Sequence, residues 1–156
     1  MPAPSQPDLP GFDASQDVVL DAGELRGLAH PLRLRLRSEL IEHGAATASQ
    51  LAARIGESSG ATSYHLRQLA RFGFVADEPG RGSGRERYWR AVHRSTWFDK
   101  SALSPPDRAV GAEYLRAVGR LYADRVVRSA DSFETTIDDL GQEWTEAWQM
   151  SDCGRC

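Results

Sequence analysis

The stretch Ser59-Gly60-Ala61-Thr62-Ser63-Tyr64-His65-Leu66-Arg67-Gln68-Leu69 decides the reading of this chain. It predicts a helix from Ser59 to about Phe72 that buries Leu66, Leu69 and Ala70 and stops at Gly73. Its first turn is unusual, because the side chains there are small and mostly hydroxylic, which lets a helix come close to another surface. Just upstream, Thr47 followed three residues later by Gln50 has the spacing of a capping box. A short helix from about Ala48 to Ile55 follows, with Ala48, Leu51, Ala52 and Ile55 on one face and Gly56 as its stop. Glu57 and Ser58 are all that separate the two helices.

Further upstream, residues 1–20 hold four prolines and no periodic pattern, and read as a mobile arm. Asp21 is placed to cap a short helix carrying Leu25, Leu28 and Ala29, which ends before Pro31. Pro31 suits the first turn of the next helix, roughly Pro31 to His43. Leu32, Leu36 and Leu40 recur there at steps of four beside Ile41, Arg33 and Arg37 share an outer face, and Gly44 ends it. Downstream the period changes. Phe74-Val75 is a short strand, residues 77–84 a Gly-rich turn and residues 85–92 a second strand, together a β-hairpin with a basic tip. Tyr88 and Trp89 alternate faces, so one packs inward. Beyond Ser95 two helices are expected. One follows Pro105 and Pro106, with Val110, Tyr114, Val118, Leu121 and Tyr122 on a stripe; the other carries Phe133, Ile137, Leu140, Trp144 and Trp148.

Charge is segregated along this order. Residues 23–95 hold twelve Arg against seven acids, whereas residues 1–22 hold four acids and no base. Residues 96–156 hold seven bases against eleven acids, so the net charge of −3 conceals a basic middle suited to a polyanion. Hydrophobic content of 40% and charged content of 26% are ordinary for a globular chain. The expected location is the bacterial cytoplasm: the chain has no apolar run long enough for a membrane span and its N-terminus lacks the pattern of a signal peptide. The two cysteines, Cys153 and Cys156, exclude a disulfide-stapled fold. No nucleophile elbow, phosphate loop or HExxH motif is present, so an enzyme is not expected.

Three signals therefore converge on a mainly α fold with a small β-hairpin wing, a winged helix-turn-helix with flanking dimerisation helices. They are the closely spaced helix pair, the basic hairpin after it and the charge pattern. In a helix-turn-helix the second helix enters the DNA major groove and its N-terminal residues meet base edges. The candidate DNA-binding residues are Ser59, Gly60, Thr62, Ser63, Tyr64 and Arg67 on that helix, Thr47 and Ser49 at the start of the preceding one, and Arg81, Arg85 and Arg87 on the wing. For the hydroxylic residues the competing role is capping, and for the wing arginines plain solvation. His65 reads as a structural residue beside Leu66, and His30 as a helix-junction residue.

The runs Leu28-Ala29-His30-Pro31-Leu32-Arg33-Leu34-Arg35, Ala48-Ser49-Gln50-Leu51-Ala52, Ser63-Tyr64-His65-Leu66-Arg67-Gln68-Leu69 and Gly73-Phe74-Val75 resemble the ArsR (arsenical-resistance-regulator) family of winged-helix repressors over about residues 22–92. The resemblance implies a symmetric dimer that represses its own operon and releases DNA on binding an effector. It places Ser59, Gly60, Ser63 and Tyr64 on DNA, and the helices flanking the winged core in the dimer.

This chain departs from the metal-sensing members. Thr47-Ala48-Ser49-Gln50-Leu51 stands where they carry a Cys-x-Cys motif, and no histidine follows His93. No metal or other cofactor is expected, with Cys153 and Cys156 as weak thiolate candidates. The expected organisation is an arm at 1–20, a winged DNA-binding domain at 21–95, a helical dimerisation region at 96–150 and a tail at 151–156. Leu25, Leu28, Val110, Tyr114, Val118, Leu121, Tyr122, Ile137, Leu140 and Trp144 are the candidates for the dimer interface or a pocket for a small apolar effector. The expected partners are double-stranded operator DNA and a second copy, with no membrane. Two alternatives stay open: a winged-helix protein-interaction module, and a redox- or metal-responsive regulator using the Cys pair.

Overall fold

The computed structural model describes residues 11–80, 86–101 and 103–139. The chain divides into two compact units, Met1–Leu121 and Tyr122–Cys156. In the first unit, local caps set the helix starts. Helix α1 (Ala22–Leu28) opens with a capping box, in which Asp21 accepts from the Glu24 N–H at 2.7 Å and Glu24 accepts from the Asp21 N–H at 2.9 Å. Helix α2 (Pro31–His43) starts on Pro31, with His30 as its N-cap. After a two-residue strand β2 (Ala46–Thr47), the predicted box at Thr47 and Gln50 opens α3 (Ala48–Ile55). Gly56 ends α3 in the left-handed conformation at φ 71°, which is open to glycine without a steric penalty. Ser58 then caps α4 (Ser59–Arg71), its hydroxyl accepting from the Ala61 N–H at 3.2 Å.

The core gathers Leu25, Leu28, Leu36, Leu51, Leu66, Leu69 and Phe74, all essentially without solvent exposure. Helix α2 contacts α1, α3, α4 and the later strand β4 (Tyr88–Ala91), so it has little outer face. That corrects the expectation for Arg37. The side chain is 8% exposed and donates to the His93 carbonyl at 2.9 Å, while Arg33 is half-buried. Strand β3 (Val75–Asp77) pairs antiparallel with β4, and β4 pairs with β2, giving a three-stranded sheet where the sequence predicted two strands. Two residues are too few to show alternation, so β2 left no pattern to read. Trp89 is the inward-facing member of the Tyr88–Trp89 pair.

Part of the stretch 1–20, expected as a mobile arm, is instead paired strand. Asp17–Val19 form β1, which pairs in parallel with β5 (Ser95–Trp97) in a second, two-stranded sheet. The partners lie nearly eighty positions apart in the sequence, so no local signal announces the pairing. The Trp97 indole donates to the Asp17 carboxylate at 3.3 Å and meets Phe12 edge-on, with ring centroids 6.5 Å apart. The hydroxyls of Thr96 and Tyr114 lie 2.9 Å apart, which ties β5 to the first turns of α5 (Arg108–Asp139).

Helix α5 is continuous where two helices were expected. Between Tyr122 and Phe133 the sequence has neither glycine nor proline, so nothing stops it. In the second unit the described part is the stretch of α5 from Tyr122 to Asp139, on which Tyr122, Val126 and Val127 are exposed. Ile137 falls within this helix, while Leu140, Trp144, Cys153 and Cys156 lie outside the described residues. No described helix is long and apolar enough to cross a membrane.

Candidate nucleic-acid interface

A helix turns about 100° per residue, so α4 sorts its residues onto opposite faces. Thr62, Leu66 and Leu69 point inward with no exposure. Thr62 is thus corrected from candidate contact to core residue, because it shares the stripe that packs against the other helices. Ser59, Gly60, Tyr64 and Arg67 are exposed and Ser63 half-exposed on the opposite face, with Tyr64 at 53%. At Gly60 an added Cβ would meet nothing within 4 Å, so its lack of a side chain leaves the backbone open to approach from outside.

Beside this face α3, α4 and β4 enclose an open cleft of 360 Å³, lined among others by Thr47, Ser49, Ser63, Arg67, Glu86 and Arg87. Thr47 itself is buried at 8% exposure, its hydroxyl engaged in capping α3, whereas Ser49 is exposed. The first turn of α3 therefore lies along the cleft with the positive end of its dipole. Arg67 and Arg87 add two guanidinium groups, against one carboxylate from Glu86. Arg87 is held across the sheet. Its Nε lies 3.1 Å from the Asp77 carboxylate and its guanidinium 5.2 Å from the centre of the Trp89 ring. Arg81 and Arg85 lie outside the described residues. The chemistry on offer, hydroxyls, arginines and a helix N-terminus around an open cleft, suits phosphate oxygens.

Two histidines that sequence reasoning took as separate structural residues come together behind this face. The rings of His30 and His65 stack with centroids 4.4 Å apart and planes tilted by 35°. Burial, and after it the Arg33 guanidinium, holds the His30 pKa below its ordinary value. Burial does the same to His65, helped by His30 and Arg33 and opposed by Glu57.

The dimer candidates are redistributed. Leu25 and Leu28 have no exposure and Tyr114 has 7%, so they belong to the protomer core and have no surface to offer a second copy. Val110, Val118 and Leu121 are half-buried against that core. Of the candidates whose side chains are described, only Tyr122 is exposed, at 59%. Sequence reasoning missed Leu115, Val126 and Val127, exposed at 54%, 66% and 58%. An uninterrupted α5 was the signal for the last two, and the assumed break hid it.

A helix-turn-helix whose second helix turns a small, hydroxylic N-terminus outward beside an arginine-bearing wing defines a DNA-binding transcription regulator. Comparison with known proteins agrees. Residues 28–78 match the family model described as a helix-turn-helix domain. The chain is similar to a solved structure of a possible transcriptional regulator for arsenical resistance, at 32% identity over 70% of this chain and 96% of that one, with a TM-score of 0.38. It is also similar to the AntR antimony-specific transcriptional repressor, at 22% identity over 79% and 98% of the two chains, TM-score 0.41. Reduced HlyU from Vibrio cholerae matches at 20% identity over 65% and 88%, TM-score 0.40. No curated protein matches the chain by sequence. The identity and coverage of the first of these relatives carry the assignment: the chain belongs to the ArsR family of winged helix-turn-helix transcription regulators.

Proposed function

We propose that the protein is a homodimeric repressor that reads operator DNA in the bacterial cytoplasm, with α4 in the major groove and the wing on the backbone or minor groove. The observation that carries this reading is the outward face of α4, where Ser59, Gly60, Ser63, Tyr64 and Arg67 stand beside a cleft shared with Ser49 and Arg87. In this reading Ser63 and Tyr64 meet base edges, while Arg67, Arg87 and the first turn of α3 hold phosphates and fix the register. Residues 21–95 serve as the reader and residues 96–150 as the dimerisation region. A second copy covers the apolar residues α5 leaves exposed, Leu115 in the first unit and Tyr122, Val126 and Val127 in the second. Dimer symmetry then calls for two half-sites about one helical turn apart.

The test is a gel-shift titration on the DNA upstream of the protein's own gene, at two salt concentrations, for wild type and the Ser63→Ala/Arg67→Ala variant. Salt-sensitive, sequence-preferring binding that the variant loses is the expected result. A wild-type dimer that binds this DNA no better than random DNA at low salt overturns the autoregulator reading.

A further inference from the structure

His30 stands at the N-terminus of α2 and His65 in the middle of α4, and their stack is a direct contact between the two helices. The surroundings of both rings favour the neutral form, through burial first and then the Arg33 guanidinium and the neighbouring ring. Nδ1 of His30 accepts from the Leu32 N–H at 3.2 Å, so it carries no proton, and the neutral ring holds its proton on Nε2. Nδ1 of His65 is buried and has no hydrogen-bond partner among the described residues. The charged and titratable groups around the pair are Arg33 from α2, Glu57 from the turn before α4, and Tyr64, whose ring meets His65 edge-on at 5.1 Å. Of these, only Glu57 favours a proton on His65.

We propose that the His30–His65 stack is a proton-operated latch between α2 and the DNA-reading helix, closed while both rings are neutral and released by mild acid. A proton on Nδ1 of His30 removes the lone pair that caps α2 and sets one N–H against another. A proton on Nδ1 of His65 places a donor where the described residues supply no acceptor. Two charged rings 4.4 Å apart, with Arg33 nearby, also repel each other. The first effect loosens His30 from the start of α2, and the other two push α4 away from α2 at His65, between Tyr64 and Arg67, so the outward face of α4 moves with it.

The proposal rests on the reading of α4 as the DNA-contacting helix, and it predicts the opposite of simple electrostatics. Added positive charge alone strengthens attraction to DNA, whereas a released latch weakens sequence-specific binding in acid. Operator affinity of the full-length wild type is measured at about pH 7.5 and about pH 5.5, either side of the ordinary histidine value. The same is done for the His30→Asn/His65→Gln variant, in which Asn keeps an acceptor for the Leu32 N–H and neither side chain takes a proton. His43 and His93 remain in both proteins and cancel. Wild type is expected to lose operator affinity in acid, and the variant to lose only a small part of that. Unchanged or tighter wild-type binding in acid, or an equal loss in the variant, overturns the latch.

If the variant does not fold, histidine titration by NMR in the DNA-free wild type decides instead. Two mutually dependent titrations below the ordinary histidine range support the latch; independent titrations at the ordinary value overturn it. Absence of sequence-preferring binding at either pH removes the DNA reading, while the NMR titration still tests the coupling of the two rings.

Discussion

Arg67→Gln tests the cleft most directly. Arg67 is exposed on α4 and lines the cleft beside Ser49, Ser63 and Arg87, and in the proposed reading its guanidinium holds a phosphate rather than a base edge. A symmetric dimer carries two such residues. Each phosphate contact contributes about 0.9 to the slope of log affinity against log salt, so the variant's slope should be shallower by about 1.8. Between about 50 and 200 mM salt, the ratio of wild-type to variant affinity should therefore shrink by roughly twelvefold, with the larger defect at low salt. Fluorescence anisotropy with a labelled operator, at four or five salt concentrations, reads the slope. Preference for operator over a scrambled duplex should stay nearly constant, because phosphates carry no sequence. An unchanged slope with lost discrimination would put Arg67 on a base edge. An unchanged affinity at every salt concentration would refute the assignment of this cleft to DNA.

Leu28→Ala should cost about 2–5 kcal/mol of stability, read as an early thermal transition, because Leu28 is fully buried in the protomer. Val126→Glu puts a charge on an exposed apolar position and should leave the helical signal intact while sedimentation shows a monomer; a persistent dimer would move the interface elsewhere. Thr47→Ala removes the α3 cap and should cost about 1 kcal/mol, a melting shift of roughly 2–4 °C for a chain of this size. The pKa values of His30, His65 and His93 are all depressed, that of His93 by burial and then by Arg37, against Glu24 and Asp17. The unfolded chain then takes up more protons just below the ordinary value of about 6.5, so this stabilisation is full above that value and lost as pH falls beneath it towards the folded-state pKa values. The melting temperature should drop between neutral and mildly acid solution, and by less in His93→Gln; an equal drop in that variant would remove His93 from the account.

Much of the winged helix-turn-helix is legible in the order of residues alone. Asp21, Thr47 with Gln50, Pro31 and Gly56 mark helix boundaries through hydrogen bonds and backbone preferences that act within a single turn. Leu51, Ala52 and Ile55 mark an inward face through the helical period alone. The choice between Thr62 and Ser63 was not legible, since both are small and hydroxylic on the same turn. Only the direction from which the other helices pack on α4 buries one and leaves the other at the surface. Arg37 is buried for a related reason: α2 has neighbours on several sides, which no pattern within its own residues records. Strand β1, the third strand β2 and the His30–His65 stack join residues far apart in sequence, and their energies exist only once the chain has closed on itself. Local chemistry thus determined where the helices begin and end, and tertiary packing decided which side chains remained available to DNA and to a second copy.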